Sequence, residues 1–329
     1  MFRFLQIVAA ATLLLSIGSY AKAADCADDP RTTGLSRTIA IDSAGGKFFG
    51  RLQYKESVPL RRGEVVLTFD DGPHPHNTTT ILDILDRHCV KATFFTVGRM
   101  AIFMSHVLKD AARRGNTIAT HTWSHPRDLA KLPLEEAKVE IEKGFVATSH
   151  ALGQPIAPFF RYPGFNQSPE LNAYLASRNI SVWSVDVVSD DTMHGLTPEQ
   201  LVNQAMERIR HMGRGIVLFH DLKDVTAQAM DSFLTQLKLE GFKVVHVVSN
   251  SAYKPNPELM ARLDFSKQSL QTVAFTGVAP AGNASRGQNV LTTGQVDIMR
   301  NEFVDIDSSA IAEKQRQAAS ARTARSGDN

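Results

Sequence analysis

The chain has 329 residues, of which 43% are hydrophobic and 21% charged, so it is long enough for one large α/β domain or two small ones. Its formal charge of +2 falls to zero if the first 23 residues, which contain Arg3 and Lys22, are removed. A neutral chain gives no electrostatic reason to expect nucleic acid as a partner, and nothing in the composition indicates the oligomeric state.

Residues 1–23 are predicted to be an export signal. An Arg at position 3 precedes an apolar run over 4–18, and Ala-Lys-Ala at 21–23 fits a cleavage site. An uncleaved anchor is the alternative, although the run is short for a membrane span. We therefore expect an exported protein, periplasmic or secreted, with no stable transmembrane anchor after cleavage.

The chain contains two cysteines, Cys26 and Cys89. Export permits a disulfide between them, whereas a buried free thiol at Cys89 fits the sequence equally well.

Residues 24–60 are rich in turn formers and are predicted to be a leader into the domain. Strands and helices then alternate. Strands are predicted over 65–69, 91–98, 116–121, 158–164, 180–188, 215–221 and 242–247, and helices over 78–88, 101–115, 133–153, 168–179, 197–213 and 226–241.

Most of these strands are continuous apolar runs joined by helices, which predicts a parallel sheet, as a barrel or a doubly wound sheet, over 61–253. In both architectures, catalytic and ligand-binding residues lie at the C-terminal ends of the strands. Residues 254–329 are rich in Ala, Ser, Gly and charge, and are predicted to be a largely disordered C-terminal extension.

Ionisable side chains follow five of the predicted strands. They are Asp70 and Asp71, His121 and His125, Arg161, Asp186 with Asp190, and His220 with Asp221. Because the C-terminal ends of parallel strands share one rim, these groups indicate an active site.

Two imidazoles and one carboxylate form a common ligand set for a catalytic divalent ion. His121 and His125, with an acid from the Asp70–Asp71 pair, supply such a set. The second acid of the pair is then available as general base, with Arg161 to hold it in place.

His220 is predicted to be a general acid or base, because no serine or cysteine nucleophile pattern lies beside it. Asp186 is the carboxylate expected to fix its tautomer and raise its pKa.

Five motifs occur in the order found in the polysaccharide deacetylase family, the NodB-homology enzymes of carbohydrate esterase family 4. They are TFDDGP at 68–73, HTWSH at 121–125, RYPG at 161–164, SVD at 184–186 and LFH at 218–220. The chain resembles this family over about 64–250. The resemblance implies a distorted (β/α) barrel with fewer than eight regular units.

The resemblance also implies roles for single residues. Asp70 would be the base, oriented by Arg161, and His220 the acid, tuned by Asp186. Asp71, His121 and His125 would bind the metal, usually zinc, with cobalt, nickel or manganese as substitutes. Three residues would contact the substrate. The backbone N–H of Gly164 would bind the oxyanion, Leu218 would line the pocket for the acetyl methyl of the substrate, and Tyr162 would lie beside them. The implied reaction removes N-acetyl groups from N-acetylglucosamine in peptidoglycan or a chitin-like glycan.

The chain departs from the family in two motifs. The fourth motif usually has Asp-x-x-Asp-Trp, whereas this chain has DVVSDDT at 186–192, with an extra residue between the acids and no Trp. Gly164 stands where the third motif often has Tyr. Hydrolysis of a small amide, or glycan binding without catalysis, are therefore the alternatives to glycan deacetylation.

Overall fold

The computed structural model describes residues 33–260. The predicted export signal, Cys26 and the predicted extension beyond residue 260 lie outside the described residues.

Ten strands and eight helices alternate over most of this range. The strands are β1 (Leu35–Ile41), β2 (Phe48–Phe49), β3 (Glu64–Asp70), β4 (Thr93–Thr96), β5 (Thr117–Thr120), β6 (Phe159–Phe160), β7 (Ser181–Trp183), β8 (Val187–Val188), β9 (Gly215–His220) and β10 (Lys243–Ser249). The helices are α1 (Asn77–Arg87), α2 (Gly98–Phe103), α3 (Ser105–Arg113), α4 (Leu134–Leu152), α5 (Pro169–Ser177), α6 (Pro198–Met212), α7 (Asp224–Leu239) and α8 (Pro257–Met260).

Every strand pairing in the described range is parallel. The sheet runs β1-β10-β3-β4-β5-β6-β7-β2, and β8 and β9 continue from β3. The predicted α/β fold with a parallel sheet is confirmed.

Alternate residues of β3 and β9 face a shared interior. Val66, Ile216 and Leu218 belong to an apolar cluster that also receives Phe95, Phe159 and Trp183 from β4, β6 and β7. Strands from across the sheet thus converge on one interior, as in a distorted barrel. Asp70 and His220 continue the same alternation at the C-terminal ends of β3 and β9, where they are register partners.

The opposite faces of these strands pack against the helices in a second, larger core. Val65, Leu67 and Phe69 of β3 lie there, each fully buried, together with the apolar faces of α1, α4, α6 and α7. Burial on both faces explains why apolar residues occupy nearly every central position of β3, with Thr68 as the exception.

Two helix ends carry capping residues that are recognisable in the sequence. Thr197 and Gln200 form a complete capping box at the start of α6, and Gly153 ends α4 with a left-handed φ of 83°.

Three predicted elements differ from the structure. The helix predicted over 101–115 is two helices separated at Met104, and the strand predicted over 180–188 is interrupted between β7 and β8. The predicted leader over 24–60 is wrong from residue 35 onward, because β1 pairs with β10 and β2 with β7. Those residues are part of the sheet.

Cys89 is disulfide-bonded, so the alternative of a free thiol at this position is wrong. Over residues 33–260, none of the helices combines the length and the hydrophobicity that a membrane crossing requires.

Candidate active site

Asp71 lies directly after the end of β3, where the backbone leaves the sheet. Asp70 is the last residue of the strand, whereas Asp71 has a left-handed φ of 80°. Both carboxylates are buried. The strand end therefore delivers two adjacent acids to a site shielded from water.

The three predicted metal ligands converge at this point. Asp71 Oδ1 lies 3.5 Å from His121 Nε2 and 3.4 Å from His125 Nε2. One ligand atom from each residue lies within 4.8 Å of the other two. This is a spacing that a single ion can bridge.

The carboxylate of Asp71 carries the strongest sign of a cation site. Both of its oxygens are buried and accept no hydrogen bond from residues 33–260. Burial raises its pKa, but the charges of His125, His220 and His121 outweigh burial and hold the pKa below its usual value. An ionised, buried carboxylate without donors is costly unless a cation compensates it.

The imidazole of His121 is oriented to ligate through Nε2. Its Nδ1 lies 2.8 Å from the carbonyl oxygen of Arg161, which can only accept, so Nδ1 carries the proton and Nε2 keeps its lone pair. Burial lowers the pKa of His121 to about 3 and also lowers that of His125. Both rings therefore give up a proton readily, as ligation of a metal requires.

Helix α4 holds the loop that carries these two histidines. The backbone N–H of Trp123 donates to the Glu140 carbonyl at 3.0 Å. The amide and hydroxyl of Ser124 both donate to the Glu140 carboxylate at 3.0 Å. Lys143 completes the contact, with its ammonium 4.3 Å from the centre of the Trp123 ring.

Arg161 fixes the second acid, Asp70. Its guanidinium is fully buried and donates to Asp70 Oδ1 at 2.6 Å and to Thr68 Oγ1 at 2.9 Å. It also donates to the carbonyls of Trp183 and Ser184. The predicted contact between Arg161 and Asp70 is thus present.

The environment of Asp70 suits a proton acceptor near neutral pH. Burial raises its pKa, the charges of Arg161 and His220 oppose this, and the result is about 6. The second oxygen, Oδ2, faces the metal ligands at 3.7 Å from His121 Nε2.

Asp191, rather than Asp186, holds His220. Asp191 Oδ1 accepts from His220 Nδ1 at 2.7 Å, while Oδ2 accepts from the backbone N–H of His220 at 2.7 Å and from Thr226 Oγ1 at 2.6 Å. Burial lowers the pKa of His220, but the charge and hydrogen bond of Asp191 outweigh it, and the pKa rises to about 9.

The prediction that Asp186 tunes His220 is wrong, because Asp186 lies at the other end of β9. Its carboxylate accepts from the Ile216 amide at 2.8 Å, the Arg51 amide at 3.0 Å and Ser57 Oγ at 2.6 Å. Ile216 and His220 are four residues apart, which is roughly 13 Å along a strand. Asp186 is therefore a structural anchor at the base of the barrel.

Tyr162, predicted to contact substrate, is a core residue. Its side chain is 1% exposed and its hydroxyl donates to Asn172 Oδ1 at 3.1 Å. The ring is thus closed off from a ligand, and this prediction is wrong. Leu218 lines the barrel interior on the same face as His220, and Gly164 has a φ of 54° in a single helical turn after β6. Their roles in substrate binding stay predictions.

Asp221, the residue after the last residue of β9, supports the turn that follows Asp71. Its carboxylate accepts from the Gly72 amide at 2.9 Å and from Thr78 Oγ1 at 2.5 Å. Burial raises its pKa to about 7. Asp221 thus ties the turn after Asp71 to the end of β9.

Comparisons with known proteins agree with this geometry. The family model described as polysaccharide deacetylase matches residues 57–183. The peptidoglycan-N-acetylglucosamine deacetylase of Bacillus cereus is 33% identical over 203 residues, which are 60% of this chain and 71% of that protein. The peptidoglycan-N-acetylmuramic acid deacetylase PdaC of Bacillus subtilis is 31% identical over 60% of this chain and 40% of that protein.

Among solved structures, the peptidoglycan deacetylase Bd3279 of Bdellovibrio bacteriovorus superposes with a TM-score of 0.61 at 32% identity. The match covers 67% of this chain and 61% of that one. The chain belongs to the polysaccharide deacetylase family. It spans less than two thirds of two of these three relatives.

Proposed function

We propose that the protein is a metal-dependent hydrolase that removes N-acetyl groups from N-acetylated amino sugars of a glycan, either peptidoglycan or a chitin-like polysaccharide. The observation that carries the proposal is the buried carboxylate of Asp71, which accepts no hydrogen bond from the described residues 33–260 and lies within 3.5 Å of two histidine Nε2 atoms.

Asp71, His121 and His125 would hold the ion. A bound divalent cation supplies Lewis-acid polarisation of the amide carbonyl and lowers the pKa of the attacking water. The donor set of two imidazoles and one carboxylate suits zinc, with cobalt, nickel or manganese as substitutes.

Asp70 acts as general base. Arg161 occupies its Oδ1, which leaves Oδ2 on the side of the metal ligands to accept the proton of the attacking water. With a pKa of about 6, this carboxylate is ionised at neutral pH.

His220 acts as general acid. Asp191 holds Nδ1, so Nε2 is the atom that donates a proton to the leaving amine nitrogen. A pKa of about 9 keeps the ring protonated at neutral pH. The leaving amine departs as the protonated amino sugar, and acetate is the second product.

An exported location fits this reaction. The sequence over 1–23 has the pattern of an export signal, and the similar Bacillus proteins are named for peptidoglycan. A periplasmic or secreted enzyme would meet such a glycan directly.

Acetate release tests the proposal. Zinc-loaded protein is incubated with chitotetraose, with peptidoglycan fragments and with simple N-acetyl amides, and the products are identified by mass spectrometry. We expect loss of acetyl groups from at least one glycan, removal of activity by a chelator and its return with zinc. Turnover of the simple amides alone, or no turnover by protein that binds zinc, would overturn the proposal.

A further inference from the structure

Two neighbouring acids, Asp190 and Asp191, follow β8, and they have different partners. Asp191 accepts hydrogen bonds from the ring and the backbone N–H of His220. Asp190 forms an ion pair with Arg208 of α6. Because the two carboxylates are adjacent in sequence, a further contact must decide which of them reaches the proposed general acid.

The register of β8 favours the first of these acids. Val188 is the register partner of Leu218 in β9, so two more residues in the same register would place Asp190 beside His220. The side chain of Val188 faces the barrel interior. Side chains alternate along a strand, so a regular continuation would also point the carboxylate of Asp190 towards the interior.

The backbone departs from this register at Asp190. This residue has a left-handed φ of 60°, which is uncommon for a residue other than glycine. Its carboxylate binds α6 on the outside of the barrel, and Asp191 is the residue that reaches His220. A conformation of this kind persists where surrounding contacts hold it.

Helix α6 supplies those contacts. Arg208 donates from Nη1 to the carbonyl of Val188 at 2.6 Å and from Nη2 to the carboxylate of Asp190. One turn earlier, Gln204 Nε2 donates to the carbonyl of Ser189 at 2.7 Å. The planar guanidinium binds two acceptors in a fixed relation to each other. One face of α6 therefore holds three consecutive residues of the segment that leads to the proposed site.

These contacts explain how the chain accommodates its unusual fourth motif. The usual form, Asp-x-x-Asp-Trp, has two residues between its acids, whereas the four residues 187–190 separate Asp186 from Asp191. The longer segment needs an irregular turn before Asp191, and Arg208 binds the residue at which that turn occurs.

We propose that Arg208 is a positioning residue for the deacetylation: by holding Asp190 on the side of α6, it places Asp191 against His220. The catalytic consequence rests on the proposed function. The arrangement of the two acids can be tested without turnover.

Other charges also act on the His220 ring. Asp70 and Asp71 at the end of β3 favour its protonated form together with Asp191, and His125 is a fourth group whose charge is coupled to it. Arg208 binds the segment over 188–190, so its replacement should disturb Asp191 and leave the other three groups in place.

Variants at Arg208 test the proposal in the zinc-loaded full chain. Arg208→Met removes both donors from a side chain that is 33% exposed. We expect the pKa of His220, measured by NMR, to fall by about one pH unit, which corresponds to a tenfold weaker preference for the charged ring. The alkaline fall in kcat should move to lower pH with it.

Two further variants provide a milder change and a control. Arg208→Lys keeps a positive charge beside Asp190 and should cause a smaller fall of the same pKa. Arg210→Met, on the same helix, removes an exposed partner of Glu240 and should leave the pKa of His220 unchanged.

A double-mutant cycle shows whether Arg208 acts through Asp191. In the Asp191→Asn background, Arg208→Met should change kcat by less than about twofold, because the residue on which it acts has lost its charge. In the wild-type background, the same substitution should lower kcat by roughly tenfold, as expected for a displaced catalytic group.

The outcomes separate this inference from the proposed function. If Arg208→Met lowers thermal stability but leaves the pKa of His220 unchanged, or lowers kcat equally in both backgrounds, Arg208 is a structural contact and the inference is wrong. If zinc-loaded wild type deacetylates no glycan, the proposed function fails, and the NMR measurement still decides whether Arg208 positions Asp191.

Discussion

Two neighbouring acids at the end of β3 are predicted to have separate roles. Asp71 has two buried oxygens that accept no hydrogen bond within the described part of the chain, whereas Asp70 accepts one from Arg161. We expect Asp71→Asn to weaken zinc binding strongly. Asp70→Asn should keep zinc binding and lower kcat by at least about 100-fold, the usual contribution of a general base.

Isothermal titration with zinc and acetate release measure these two effects separately. Equal loss of zinc affinity in the two variants would contradict this division, because it would make both acids ligands.

His220 depends on a carboxylate that raises its pKa to about 9, so activity that needs the protonated ring should persist below pH 9 and fall above it. Asp191→Asn removes the charge that raises this pKa. The alkaline fall in kcat should therefore move to lower pH, and kcat at neutral pH should drop by at least about tenfold.

The control for this prediction is Asp186→Asn, which removes contacts at the far end of β9. It should lower thermal stability but leave the pH profile in place. If the pH profile of kcat were unchanged in Asp191→Asn and shifted in Asp186→Asn, Asp186 rather than Asp191 would be the acid that raises the pKa of His220.

At the scale of single residues, the apolar patterns of the strands located the two acids and the two histidines at strand ends. The resemblance to the polysaccharide deacetylase family then divided the predicted roles between Asp70 and Asp71. The sequence did not predict Asp191. The segment 186–191 runs parallel to β9, with Val187 and Val188 paired to Val217 and Leu218, so that it leads towards the C-terminal end of β9. Only this register shows that the later acid reaches His220.

Helix α4 is the element that positions the loop carrying His121 and His125. Gly144 of α4 faces this loop so closely that a Cβ on it would lie 2.5 Å from the carbonyl carbon of Thr122. Gly144→Ala improves helix propensity by roughly 0.5–1 kcal/mol, but the overlap must displace the loop or the helix. We expect zinc affinity to fall by roughly 10–100-fold, as with other supports of metal ligands.

Zinc titration and thermal unfolding of Gly144→Ala check this prediction together. A variant with wild-type zinc affinity and raised stability would mean that the loop accommodates the methyl group and that α4 does not determine its position.

The element boundaries that the sequence predicted best are those with local chemical signals. Capping residues mark α6, and Gly153 marks the end of α4. The break at Met104 has no neighbouring proline or glycine, and the interruption between β7 and β8 falls at 184–186, where polar and apolar residues alternate as they do in a strand. Tertiary contacts decide such breaks, so periodicity alone does not find them.

At the scale of the whole molecule, the α/β architecture was predictable because buried parallel strands have a distinctive apolar pattern. The first strand, β1, was not predicted because it lacks this apolar pattern. β1 lies at the edge of the sheet with several exposed positions, and its sequence, LSRTIAI, mixes polar and apolar residues. Pairing with β10, more than 200 residues away in sequence, defines it as a strand.

A buried polar network connects distant parts of the fold. The carboxylate of Glu142 in α4 is 1% exposed. It accepts from Tyr174 of α5 at 2.7 Å, from Arg178 Nε at 2.9 Å, and from the hydroxyl of Tyr253 beyond β10. One carboxylate thus joins two helices to the segment that follows the last strand.

We expect Glu142→Gln to lower the free energy of unfolding by about 1–3 kcal/mol, because hydrogen bonds to a charged group are lost and Arg178 keeps an uncompensated, partly solvated charge. Arg210→Gln, which breaks a more exposed pair with Glu240, should change it by less than about 1 kcal/mol. Urea unfolding at saturating zinc measures both. Glu142 is neither a proposed metal ligand nor a proposed acid or base, so kcat of the folded variant should match that of the wild type. A large loss of kcat at unchanged stability would instead show that this network contributes to catalysis.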